Sequence, residues 1–381
     1  MPLFIFKKFF GMLPLAGLLC ILGVWTSLPS CKKTNTATSA TSDSVYYGRL
    51  QFVIQDNASF SYFTSGYQIG GWLDTLGQAG PYTLALPNND AFAEGYSSSA
   101  TQNFSAFFAS LSNDKSKLIP YLGNSILKGR VSFRSLPLGD NQPLPDLFGT
   151  NVYVTRYLSG SDTMTTVDGQ PVISMDNPAT NGLIQVLTGI PIPQIYPTVM
   201  QRIRSDSTMA FFAYALQRAH LDTLLEGNGP YTVFAPINIG LVNASSPPFA
   251  IGMNLSSLDS IAAADTARLR AFLSYYILPG RFFLNDLRRQ MTTDTLNLTM
   301  LNGEVMKFTN YSTPGVFPIA SYAPGFTGLG NLGNPLLSYF SQVCQIYTPT
   351  VTNGADVLTL NYRDWPVGNG VVHTIIGALV P

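Results

Sequence analysis

Two histidines, three cysteines and 21 acidic residues are among the groups in this chain able to move protons, bind metals or attack a carbonyl. Such chemistry needs them in set patterns: a nucleophile elbow beside a base, a His-x-x-x-His or cysteine pair for a metal, an Asp-rich loop for calcium. The sequence contains none of these. His220 falls near the end of an expected helix, where an exposed imidazole meets the negative end of the dipole. His373 follows Val371 and Val372 and precedes Thr374-Ile375-Ile376, so its ring must find hydrogen-bond partners inside a strand-rich fold. Asp162, Asp168 and Asp176 are separated by turns and read as solvated loop acids. Asp364 lies beside Trp365, a ring able to stack on a sugar, although a strand-end acid is the plainer reading. Carboxylate pairs for glycoside hydrolysis are defined by distance in space, which spacing along the chain does not give. The residues therefore point to no catalytic centre, no cofactor and no metal site.

Composition narrows the class further. Charged residues are 11% of the chain, against a usual share of about 25%. Lysines and arginines are scattered, without the basic stripe of a nucleic-acid binder. Lys7 and Lys8 precede an apolar run from Phe9 to Trp25, the pattern of a secretory signal. Leu28-Pro29-Ser30-Cys31 resembles a bacterial lipobox with proline as a departure at −2, which makes Cys31 the expected lipidation site and first mature residue. Ordinary secretion is the alternative. Loss of residues 1–30 removes Lys7 and Lys8 and no acid, leaving 19 basic against 21 acidic residues and a formal charge of −2. With Cys20 gone and Cys31 acylated, Cys344 stands alone and reads as a small buried hydrophobe. Residues 31–44 are rich in Ser, Thr and Ala and suit a flexible tether.

The rest of the chain is organised by repetition. Gly80-Pro81-Tyr82-Thr83-Leu84-Ala85-Leu86-Pro87 returns 149 residues later as Gly229-Pro230-Tyr231-Thr232-Val233-Phe234-Ala235-Pro236. Ile126-Leu127-Lys128-Gly129-Arg130 returns as Ile277-Leu278-Pro279-Gly280-Arg281, and Asn181-Gly182-Leu183-Ile184-Gln185 as Asn369-Gly370-Val371-Val372-His373. Three landmarks in the same order mean one domain type used twice. The set resembles the fasciclin (FAS1) family, over nearly all of the chain from Val45 to Pro381. That resemblance implies an α+β fold of two tandem domains, 45–193 and 194–381, each a β-wedge packed with helices. It also implies a binding role rather than catalysis, with His373 at the family's structural histidine. The Tyr-His pair that some members use for adhesion does not carry over: Tyr275-Tyr276 and Asn124-Ser125 occupy its two positions.

Local pattern places the elements. Ile69–Leu76 makes a poor helix cut by Gly70-Gly71, and Leu118–Leu127 a helix stopped by Gly129. Asn151–Thr155 and Pro171–Ser174 alternate as strands around a turn at Val167-Asp168-Gly169. Ser205 or Asp206 caps a helix running to about Leu225, whose apolar face is Phe212, Leu216 and Ala219, and Asp265–Ile277 forms another. The short join at Gln194–Pro197 predicts domains that pack or hinge closely.

The Asn-Gly landmarks are 188 residues apart, so the second repeat holds 39 extra residues, located at about 311–352. No charge occurs between Lys307 and Asp356, while Tyr311, Phe317, Tyr322, Phe326, Tyr339, Phe340 and Tyr347 do. These seven either fold down as a local subcore or form a recognition surface, and they are the candidate ligand-binding residues. The expected protein is a non-enzymatic envelope lipoprotein, anchored in a membrane of unspecified leaflet and binding an envelope or extracellular protein or glycan. The alternative is an accessory of polysaccharide capture.

Overall fold

A computed structural model describes residues 47–92, 115–245, 251–292, 295–310, 324–327, 364–375 and 378–379. The signal segment, Cys31, the tether, Cys344 and six of the seven candidate aromatics lie outside them.

In the first domain the helices Leu50–Gln55, Ser61–Gly70 and Leu73–Leu76 lead to β1 (Tyr82–Pro87). The helix Lys115–Asn124 and β2 (Ile126–Lys128) precede β3 (Gly139–Pro145), β4 (Asn151–Ser159), β5 (Asp162–Val167), β6 (Gln170–Ala179) and β7 (Gly182–Leu187). Their sheet runs β2-β1-β7-β6-β5-β4-β3. Helices Val199–Arg204, Ala210–Arg218 and Asp222–Glu226 open the second domain ahead of β8 (Tyr231–Pro236). Thr266–Ser274 runs into β9 (Ile277–Pro279), and the helix Leu284–Arg289 into β10 (Thr295–Thr299). There follow β11 (Val305–Asn310), β12 (Pro324–Thr327), β13 (Trp365–Val367) and β14 (Gly370–Ile375), in sheets ordered β13-β14-β8-β9 and β10-β11-β12.

Each Gly-Pro landmark becomes the strand between the other two. β1 pairs in parallel with β7 and antiparallel with β2, and β8 does the same with β14 and β9. Alternation then sends side chains to opposite faces. Leu84 and Leu86 meet the helices through Phe63, Tyr67 and Leu50. Ala85 turns the other way, into a second cluster inside the wedge with Phe133, Val152, Val154 and Val167.

Several elements differ from the sequence reading. Ile126–Leu127 and Ile277 are strand, not helix end, because they pair edge to edge with the landmark strand. The helix before Gly71 begins earlier, at Ser61, and Gly71 closes it with φ 77°. The long helix expected to reach Leu225 breaks at His220, which adopts φ 53° and starts a new turn. β5 differs too: Asp162–Val167 is a strand although its apolar residues, Met164 and Val167, do not alternate. Within the insertion, Pro324–Thr327 is a strand opposite β11, placing the backbone of Phe326 beside Phe308.

Side chains lock the three landmarks together in the same way in both domains, with one bond more from Arg281 in the second. Asn369 Oδ1 accepts from Val199 N at 2.8 Å, and its Nδ2 donates to the carbonyls of Leu225 and Gly227 at 2.8 and 2.6 Å. Asn181 makes the matching bonds with Leu50, Leu76 and Gln78. Thr83 Oγ1 donates to Gly129 O and accepts from Val131 N, as Thr232 does with Gly280 and Phe282. Arg130 donates to Ala179 O and Gly182 O, and Arg281 to the carbonyls of Val367, Gly368 and Gly370. The glycine after each asparagine is obligatory: a β-carbon on Gly182 would sit 2.3 Å from Tyr82 O, and on Gly370 1.9 Å from Tyr231 O.

Asn369→Ala removes three bonds at once and leaves partly buried backbone groups unpaired, so it should cost about 1–3 kcal/mol. Urea unfolding of the variant against the unsubstituted chain measures this, and Asn181→Ala should behave alike.

Candidate functional site

His373 is fully buried on β14. The Asp364 N–H donates to its Nδ1 at 3.1 Å, so Nδ1 must be the acceptor, and Nε2 carries the proton it donates to Phe282 O at 3.0 Å. The ring is thus neutral, and Phe234 stacks on it at 5.4 Å. With both nitrogens committed to backbone, it has none to offer a substrate.

Gln185 shows what that ring is for. On β7 its Oε1 accepts from Asp176 N at 2.8 Å, and its Nε2 donates to Val131 O at 3.3 Å and to Asp176 Oδ1 at 2.8 Å. Asp176 and Asp364 occupy the same place, both left-handed at φ 61° and 60°. Each accepts a backbone N–H from the segment after the Gly-Arg turn, Phe133 in one domain and Leu284 in the other. Glutamine and histidine are here two solutions to one bridging problem, and Asp364 beside Trp365 is half of it. The hydrogen bonds of Asp176 outweigh its partial burial and hold its carboxyl below the ordinary range. It is no solvated loop acid.

Asp168 departs further from that reading. It is the first residue of the β5–β6 turn, with φ 46°, and is buried against the second domain. Tyr153 N donates to its Oδ1 at 2.9 Å, while Oδ2 is buried without a hydrogen-bond partner. Burial pushes its carboxyl up to about 8, against the pull of the Tyr153 N–H and of Arg281 and with the push of Asp364 and Asp146. Gly169 is the close approach, since a β-carbon there would lie 2.8 Å from Phe283 Cβ.

Around this turn the two domains meet. The Arg281 guanidinium lies 3.8 Å over the Tyr153 ring, and Asn141 Nδ2 donates to Arg281 O at 2.8 Å. Tyr153, Phe283 and Val371 form a small apolar cluster. Arg289 pairs with Asp140 at 2.6 Å and with Asp286 at 3.3 Å, and covers Tyr157. The domains pack closely, as the short join implies. In sequence Asp168-Gly169 signals a hairpin turn; nothing local marks it as a contact.

The residues at the adhesion-pair position are interior. Tyr275 and Tyr276 are buried, and Tyr276 Oη donates to Leu379 O at 2.8 Å. Ser125 bonds Tyr67 Oη, and Asn124 is buried beside it. His220 is exposed, its carbonyl accepting from Arg270. Asp162 is exposed as well. Of the candidate aromatics, Phe326 alone falls in a described strand.

The Fasciclin domain model matches residues 58–191 and 207–319, more than half of the chain. The chain belongs to the fasciclin family. Pig transforming growth factor-beta-induced protein ig-h3 is 27% identical over 50% of this chain and 26% of its own, and human periostin 24% identical over 66% and 27%. The chain thus spans about a quarter of those relatives. An uncharacterised Synechocystis protein, sll1735, is 28% identical over 26% of this chain and 68% of its own. A FAS1 domain pair from the insect cell adhesion molecule Fasciclin I is 17% identical over 86% of this chain and 98% of that one, with a TM-score of 0.36.

Within these fasciclin domains the histidine can be tested against its own repeat. His373→Ala deletes both bridges in a buried site and should cost about 1–3 kcal/mol, whereas His373→Gln should recover most of that loss by bonding as Gln185 does. Thermal unfolding of the two variants decides it; equal losses would contradict the bridging role.

Proposed function

We propose that this chain is a non-enzymatic binding protein of the cell envelope, held by a lipid on Cys31, whose paired fasciclin domains mediate adhesion to an extracellular or envelope protein or glycan. The observation that carries the reading is how the chemistry-bearing side chains are employed. His373, Asp176, Asp364, Arg130 and Arg281 are all bound to backbone or to one another in holding the fold. Recognition then falls to surface. The uncharged run containing Tyr311, Phe317, Tyr322, Phe326, Tyr339, Phe340 and Tyr347 is the surface proposed, because flat rings with little charge suit apolar peptide faces and sugar rings alike. Those same rings favour the second reading, an accessory of polysaccharide capture.

Cys31→Ala should move the protein from the membrane fraction to the soluble fraction on cell fractionation; unchanged membrane association would place the anchor elsewhere. Removing 39 residues from about 311–352 should leave a folded protein that has lost most of its binding to a glycan array or to cross-linked envelope proteins. Glycan signals lost would favour polysaccharide capture, and protein cross-links lost would favour adhesion. Undiminished binding of both kinds would remove the insertion from the proposal.

A further inference from the structure

The contact between the two domains encloses more ionisable groups than an inert seam requires. At its centre the turn Asp168-Gly169 presses on Phe283, with Asp364 Oδ2 3.6 Å from where a β-carbon of Gly169 would be. The groups facing Asp168 come from four places. Tyr153 is on its own sheet, and Asp146, after β3, is held by the backbone and hydroxyl of Thr150. Arg281 follows β9, and Asp364 precedes β13 with His373 behind it. Asp140, Asp286 and Arg289 form a second charged group of the contact. Arg281 does not neutralise Asp168 directly. Its donors are aimed at three carbonyl oxygens, and among the described residues no ion pair joins the two.

We propose that the junction is a latch tightened by a proton: it is strongest when Asp168 is a neutral carboxylic acid and loosens as that proton is lost. An ionised Asp168 would place a charge in a closed site with Oδ2 unbonded and Asp364 nearby; opening the junction returns that charge to water. Closure therefore takes up a proton. Burial raises the Asp168 carboxyl from 3.8 to about 8, so its contribution is complete below about pH 4 and lost as pH rises through 8. Between these limits the opening equilibrium rises by up to about tenfold per pH unit. Asp286, which burial raises to about 6, acts in the same direction at lower pH, which leaves the interval from pH 6 to 8 to Asp168.

Hydrogen–deuterium exchange read by mass spectrometry tests this on the full chain, comparing Asp168→Asn with the unsubstituted protein at each pH so that intrinsic exchange cancels. Asparagine tolerates the left-handed backbone of the turn and stays neutral. The exchange ratio, unsubstituted over variant, should rise by up to about tenfold per unit from pH 6 to 8 in the segment 281–289 and stay flat in the helix Ala210–Arg218. A flat ratio in 281–289 overturns the latch. So does an equal rise in the helix, which would mean that the proton stabilises the whole fold. The same pH slope must survive in His373→Gln, and its loss there would reassign the effect to the histidine. Should Asp168→Asn fail to fold, the unsubstituted chain still decides: after correction for intrinsic rates, 281–289 must outpace the helix over that interval.

Discussion

An asparagine side chain at the entry to the last strand of each domain satisfies backbone that no strand or helix can. Asn181 and Asn369 each take one N–H from the helix that opens the domain and give two to the chain just before the Gly-Pro strand. Three segments far apart in sequence are thereby tied at one point, where the glycine beside the asparagine lets the parallel strands close. The arginine after each Gly turn then binds carbonyls on the far side of the same strand entry. Unpaired buried backbone is costly enough that this knot governs the placement of the parallel pair, and through it both cores.

This explains why the fold was legible where it was. The landmarks that recur in sequence are the ones whose groups bond to each other, so finding them in order also located the central strand and its two neighbours. The apolar spacing of Phe212, Leu216 and Ala219 likewise gave a buried helix face. Boundaries set by tertiary contacts were not legible. Ile126 and Ile277 carry no local signal that opposes helix, and become strand because β1 and β8 offer them an open edge. His220 ends a helix in a conformation that a histidine seldom adopts.

The site was less legible than the fold, for a related reason. His373 was readable as structural from its apolar neighbours, but the equivalence of glutamine and histidine appears only when both are seen spanning an aspartate and a backbone carbonyl. The acids were misread as a group. Sequence gives Asp162, Asp168 and Asp176 one description, yet the first is exposed, the second is sealed beneath another domain and the third bridges a bulge. What separates them is what packs on them, and for Asp168 the covering residues, Arg281 and Phe283, lie more than a hundred residues along the chain.

Arg281 joins the two scales, since it clamps carbonyls on its own domain's final strands while its guanidinium covers Tyr153 of the other. Its acceptors, Val367, Gly368 and Gly370, lie almost at the end of the sequence. A ribosome makes them after the whole first domain. The residues of β1 to β7 therefore leave the ribosome before Arg281 and Phe283, the side chains that meet Tyr153 and Gly169. Synthesis thus imposes an order on assembly: the docking face of the first domain is made before the side chains that cover it.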